Sequence, residues 1–185
     1  MMSYGRQCHH SMIEIIDDLL PTIVFDDLSE LFLNDKVLWN YGEVVNENQL
    51  QKDVSPLDNY QFYHLLYFLD QPQSKHYDNV CVVMNWIKYV SMAKMKVNMN
   101  PRTSTIIEHG FHVDVPFKCK TSIFYLNTNN GYTLFEDGTK VESIGNRLVT
   151  FDSHIKHSGT SCTDQKCRLV LNMNYFPFNE IEKPS

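Results

Sequence analysis

The apolar positions of this chain change rhythm once, near Tyr89. From Ser11 up to that point they recur at helical spacing: Ile15, Ile16, Leu19 and Leu20, then Leu28, Leu31 and Phe32, then Phe62, Leu65, Leu66 and Leu69. The spacing predicts a mostly helical first half, in which Phe62, Tyr63, His64 and Tyr67 belong to a helical core and His64 is satisfied by hydrogen bonds. Pro21 predicts a turn, and the stretch 53–59 with Pro56 predicts a loop. The strand candidates of this half are 37–41 and 43–45. Trp39 and Tyr41 read either as buried anchors between helices and sheet or as the lining of a groove.

Beyond Tyr89 come short runs rich in β-branched and aromatic residues, separated by Gly, Asn and Asp. They predict strands at 92–99, 111–115, 121–127, 132–136, 140–142, 147–151 and 168–176. Asn129, Asn130 and Gly131 mark one tight turn, and Asp137 with Gly138 another. Many short strands after a helical stretch predict a mainly β fold, a sandwich or jelly roll with the N-terminal helices packed on one sheet. Along 168–176, Arg168, Val170, Asn172 and Asn174 fall on one face and Leu169, Leu171, Met173 and Tyr175 on the other. The apolar face should meet the helices. The face with Arg168 should meet a polar cavity, where a buried guanidinium needs an anion.

At 185 residues, with 43% hydrophobic content, the chain suits one core better than two. The expected organisation is a single domain, 1–185, with 1–90 as a mostly helical support and 91–178 as the β core. A net charge of −6 and the lack of a basic run argue against a nucleic-acid partner. The N-terminal residues MMSYGRQCHHSMIEII lack an apolar signal core, and no apolar stretch reaches the ~20 residues that span a bilayer. Cys8, Cys81, Cys119, Cys162 and Cys167 are an odd count without zinc-knuckle spacing. These features predict a cytoplasmic protein with reduced thiols and no membrane partner. Cys162 and Cys167 bracket one loop and are read as free thiols rather than a redox pair.

Chemistry concentrates in the second half. His112 and Asp114 in FHVDV, two apart on a predicted strand, point the same way and can share a metal while Val113 packs behind them. His157 in HIKHSG is the third candidate. Two imidazoles and a carboxylate form a facial triad, which holds Fe(II) and leaves its other positions open. His109 and His154, each three residues before a proposed ligand, should point to the opposite face of an extended strand. The loop 101–110 precedes the metal motif, and its Arg102 and Glu108 are candidates for substrate contact or simply solvated side chains.

Taken in order, FHVD, SIFYLNTNNGYTLF, GNRLVTFDSHIKHSG and RLVLNMNYF resemble the catalytic core of the Fe(II)- and 2-oxoglutarate-dependent oxygenases, most closely the prolyl 4-hydroxylase-like branch. The resemblance covers about the C-terminal half. It implies a double-stranded β-helix, with iron on His112, Asp114 and His157 and the far carboxylate of 2-oxoglutarate on Arg168. It further implies that Tyr125 supports that carboxylate and that Asn172 stands close to the cosubstrate. Two departures are visible: the usual double glycine is a single Gly131 followed by Tyr132, and a family tyrosine falls near Asn98 or Asn100. The implied activity is a dioxygenase that uses Fe(II), 2-oxoglutarate and O2 to hydroxylate a prolyl, peptidyl or small-molecule substrate. The competing readings are a non-catalytic jelly-roll module that binds a metal or ligand and, less well matched by charge, a nucleic-acid demethylase. The oligomeric state is open.

Overall fold

Alternation in the second half builds most of a large antiparallel sheet, and part of the first half joins it. The computed structural model describes residues 13–33 and 37–178, so Cys8 and the first residues of the N-terminal stretch lie outside the described residues. The strands are β1 (Ile13–Ile16), β2 (Asn40–Gly42), β3 (Gln61–Phe68), β4 (Gln71–Pro72), β5 (Tyr89–Pro101), β6 (Lys120–Tyr125), β7 (Tyr132–Phe135), β8 (Lys140–Glu142), β9 (Leu148–Asp152), β10 (His157–Gly159) and β11 (Cys167–Pro177). The α-helices are α1 (Thr22–Leu33) and α2 (Tyr77–Met84). The large sheet runs β1-β9-β6-β11-β5-β3-β2, with β4 on β3, and a small sheet runs β10-β7-β8.

The first half is therefore not mostly helical. QFYHLLYF is β3, paired along β5 with Phe62 opposite Met99 and Leu65 opposite Lys96. A short run that is mostly apolar satisfies helical and extended periodicity equally, and its aromatic content favours a pleated surface once β5 offers partners. Ile15 and Ile16 lie in β1, an edge strand on β9 rather than a helix. Leu19 and Leu20 are buried in the turn that follows. Leu20 donates its N–H to Oδ1 of Asn146, and Asn146 Nδ2 donates back to the Leu20 carbonyl. The stretch 43–45 forms no strand. Trp39 packs partly buried against the core, whereas Tyr41 is 68% exposed and stacks on Tyr60. His64 sits on β3 but is satisfied as expected, by the Leu38 carbonyl and the Ser74 hydroxyl, each at 2.7 Å.

Two hydrophobic clusters flank β11. Leu169, Leu171, Met173 and Tyr175 share one with Leu28 and Phe32 of α1 and Val80, Val83 and Met84 of α2. On the other side, Val170 joins Ile123, Tyr125, Val149 and Phe151 of the large sheet to Phe135 and Val141 of the small one. Each buried Leu, Val or Phe contributes roughly 1.5–3 kcal/mol relative to exposure. The architecture is mainly β, with antiparallel sheets facing each other as in a jelly roll. The polar cavity lies between them.

Candidate metal centre and its anion pocket

The metal motif is assembled by a cross-connection rather than by a strand. Residues 111–115 form no strand; His112 makes an isolated bridge to His157 at the start of β10. The two residues exchange backbone hydrogen bonds, N–H to carbonyl, at 3.0 and 3.1 Å. The bridge brings the imidazoles to 4.9 Å between ring centroids. Asp114 swings in behind a turn, and Val113, expected to pack behind the pair, is 39% exposed instead. Gly110 makes this path possible. Its φ of +150° and a would-be Cβ 2.1 Å from the Gln49 carbonyl oxygen exclude any side chain there.

His112, Asp114 and His157 each offer a ligand atom, all within 4.8 Å of one another. Nε2 of His112 stands 3.8 Å from Asp114 Oδ1, and Nε2 of His157 3.5 Å from Oδ2. Each imidazole turns its Nδ1 to a backbone carbonyl, Gly110 at 3.2 Å and Ile155 at 3.4 Å, which leaves both Nε2 atoms directed inward as acceptors. Burial pushes His157 down to about 4, against the opposing pull of Asp114. Burial alone would raise Asp114; attraction to His157, His112 and Lys96 and a hydrogen bond from Asn172 carry it well below the usual carboxylate range. The trio is thus one carboxylate and an acceptor-ready imidazole at neutral pH. Of the rivals, His154 is exposed, and His109 is buried outside the trio with Nδ1 on the Gly159 carbonyl.

Arg168 enters the same cavity from β11. It is 2% exposed, donates from Nε to Ser143 Oγ at 2.8 Å and from an Nη to Thr133 Oγ1 at 3.0 Å, and stands 5.5 Å over the Tyr125 ring. No carboxylate pairs with it among the described residues. Gly131 presses on its stem: a Cβ there would lie 2.8 Å from Arg168 Cδ and 2.6 Å from the Ser161 carbonyl oxygen. Tyr125 is fully buried and donates its hydroxyl hydrogen to Thr133 Oγ1. Asn172 Nδ2 donates to Asp114 Oδ2 at 2.9 Å, while its Oδ1 has no partner; Asn100, opposite Arg168 in the register, has an unpartnered Nδ2.

Lys96, Gln61, Thr133 and Gly159 also line the cavity. The sequence reading did not single out Lys96 or Ser143, although alternation along β5 puts Lys96 on the same face as Asn98 and Asn100. Arg102 and Glu108 are tied to the protein rather than free for a substrate. Arg102 donates to the Thr163 carbonyl, and Glu108 accepts from the Tyr132 hydroxyl beside Lys140. Cys162 and Cys167 are buried and unpaired; burial pushes Cys167 up to about 11, with the neighbouring Cys162 adding to it.

No protein-family model matches the chain, and neither does the sequence of any curated protein. Solved structures do. A Pseudomonas putida prolyl-4-hydroxylase superposes with a TM-score of 0.59 at 16% identity, over 90% of this chain and 92% of that one. A Trichoplax adhaerens prolyl hydroxylase, solved with a hypoxia inducible factor oxygen degradation domain peptide fragment, gives 0.61 at 17% identity, over 91% and 84%. A 2OG-Fe(II) oxygenase family protein from Burkholderia pseudomallei gives 0.61 at 11% identity, over 92% and 87%. Together with the double-sheet architecture, these matches show that the chain has the fold of the 2OG-Fe(II) oxygenases, prolyl hydroxylases among them.

Proposed function

We propose that this protein is an Fe(II)- and 2-oxoglutarate-dependent hydroxylase acting on a peptidyl or small-molecule substrate. One observation carries the reading: a His112–Asp114–His157 cluster shares a cavity with a buried arginine that has no carboxylate partner. The donor set suits a divalent ion that needs open positions, and a buried cation suits a dianionic cosubstrate. The unpartnered Asn100 Nδ2 and Asn172 Oδ1 add hydrogen-bonding capacity that the protein itself leaves unused. Bound Fe(II), 2-oxoglutarate and O2 together supply the oxidation, in which 2-oxoglutarate leaves as succinate and CO2 and a substrate C–H becomes C–OH.

The chain's own residues bind and orient. His112, Asp114 and His157 would hold the metal, with the carbonyls of Gly110 and Ile155 setting the tautomers. Arg168 would take the far carboxylate in two-pronged fashion, preset by Ser143 and Thr133. Tyr125 fixes Thr133 and forms the wall beneath the guanidinium. Asn172 keeps Asp114 aimed at the metal, and Asn100 would serve the second end of the cosubstrate. The whole chain is read as one domain. No helix among the described residues is long and apolar enough to cross a membrane, and the unpaired thiols of the four described cysteines fit a cytoplasmic location.

The test is anaerobic titration of the Fe(II)-loaded protein with 2-oxoglutarate, following the weak visible charge-transfer band of the chelate. A saturable band is expected, together with succinate formation that requires Fe(II) and O2. Iron retained with no band at any 2-oxoglutarate concentration would overturn the enzyme and favour a non-catalytic metal-binding module.

A further inference from the structure

Among the described residues, Lys96 is a second cation in the cavity that makes no ion pair, beside Arg168. It lies on β5 opposite Asn172 of β11 and Leu65 of β3, on the face that carries Asn98 and Asn100. It lines the metal cavity and also the adjoining groove formed with Lys94, Gln49, His112 and Val113. It therefore stands where the groove meets the cavity that holds His112 and Asp114. Among the described residues Lys96 makes no hydrogen bond and no ion pair. Asp114 attracts it only through space, because its oxygens face Asn172 and the two imidazoles. Glu43, the other acid along the groove, is exposed and makes no ion pair with it either.

On the proposed function, the charges of the filled site can be counted. A divalent metal, Asp114, Arg168 and doubly charged 2-oxoglutarate sum to zero. Lys96 adds one positive charge that nothing in that set compensates. Lys96 is half-buried and lines both the cavity and the groove, so an unpaired positive charge there favours one further negative charge arriving with the remaining reactant. A single charge fits a carboxylate better than a phosphate dianion.

We infer that Lys96 is a specificity-determining residue that receives a carboxylate of the primary substrate, so that the hydroxylated compound is a carboxylate-bearing one. The ammonium anchors that group at the groove mouth and sets which C–H faces the metal. A neutral substrate that covers the groove would leave the lysine unpaired, and is discriminated against for that reason.

The test uses the full chain loaded with zinc and saturating 2-oxoglutarate, with acetate as the minimal carboxylate and acetamide as its neutral isostere. The ε-carbon resonance of labelled Lys96, assigned by its absence in Lys96→Met, is followed during each titration. A saturable shift with acetate and none with acetamide is expected, while Lys96→Met binds zinc and 2-oxoglutarate within about twofold of the parent. An equal response to acetamide, or no saturable response to acetate, would overturn the inference. So would Lys96→Met weakening 2-oxoglutarate tenfold or more, which would assign the lysine to the cosubstrate. Failure of the parent to bind 2-oxoglutarate at all would count against the proposed function instead; the acetate response of Lys96 is still read in that sample and decides the anion site separately.

Discussion

The two faces of β11 show how one strand divides its work. Leu169, Leu171, Met173 and Tyr175 belong to the hydrophobic cluster that also takes in residues of α1 and α2, whereas Arg168 and Asn172, equally buried, line the cavity, and Asn174 on the same face turns its Nδ2 to Thr121 Oγ1. The first face is satisfied by its neighbours. The second is not: Asn172 Oδ1 and Asn174 Oδ1 lack partners, and Arg168 has no carboxylate. A step of one residue thus separates side chains that stabilise the fold from side chains buried with unmet polar groups, which the proposed function assigns to a ligand. Substitutions on the two faces should therefore move different measurements.

The largest effect is expected on the apolar face. Leu171→Ala removes a fully buried side chain and should cost about 2–5 kcal/mol in urea unfolding, with the 2-oxoglutarate affinity of the folded fraction unchanged. A loss of affinity equal to that of a cavity-face variant would break the division. Next comes pH. His157 is lowered from 6.5 to about 4, so between those values the unfolded chain takes up a proton that the folded chain refuses. Metal-free protein should therefore lose up to about 3 kcal/mol of stability as pH falls through that window and regain it on raising the pH. Urea midpoints at pH 7 and pH 5 check this, and His157→Gln should flatten the dependence.

On the cavity face, Arg168→Ala should forfeit a charge-assisted contact of about 1.5–3 kcal/mol, raising the dissociation constant for 2-oxoglutarate by tens of fold. Ligand-free stability should hold or rise, since a desolvated charge is removed. The combination is the sharpest test of the division, because Leu171→Ala should lose stability and leave the affinity unchanged. The smallest effect is expected for Asn172→Ala, which releases Asp114 Oδ2 from its donor. Metal affinity, measured by competition with a chromogenic chelator, should fall about 10- to 100-fold; an unchanged affinity would show that the two imidazoles orient Asp114 unaided.

Legibility followed the reach of each interaction. The β half could be read because alternation is local: 140–142 coincides with β8, and 168–176 lies within β11. The first half was misread at 61–68, where FYHLLYF satisfies either period and only pairing with β5 decides. The ligand types were visible in FHVDV and HIKHSG, yet the premise that joined the first pair, an extended strand at 111–115, does not hold. The antiparallel bridge from His112 to His157 does that work. Glu108 and Arg102 looked available for a substrate because their partners, Tyr132 and the Thr163 carbonyl, lie far along the chain.

By itself, the sequence determined what depends on side-chain type and short spacing: a β-rich second half, two imidazoles and a carboxylate able to hold a metal, and a strand with one apolar and one polar face. Only the tertiary structure decided which polar groups are satisfied. Desolvation and pairing arise from residues brought together across the fold. They leave Arg168 without a carboxylate, tie Asn172 to Asp114, and isolate Lys96 at the mouth of the groove.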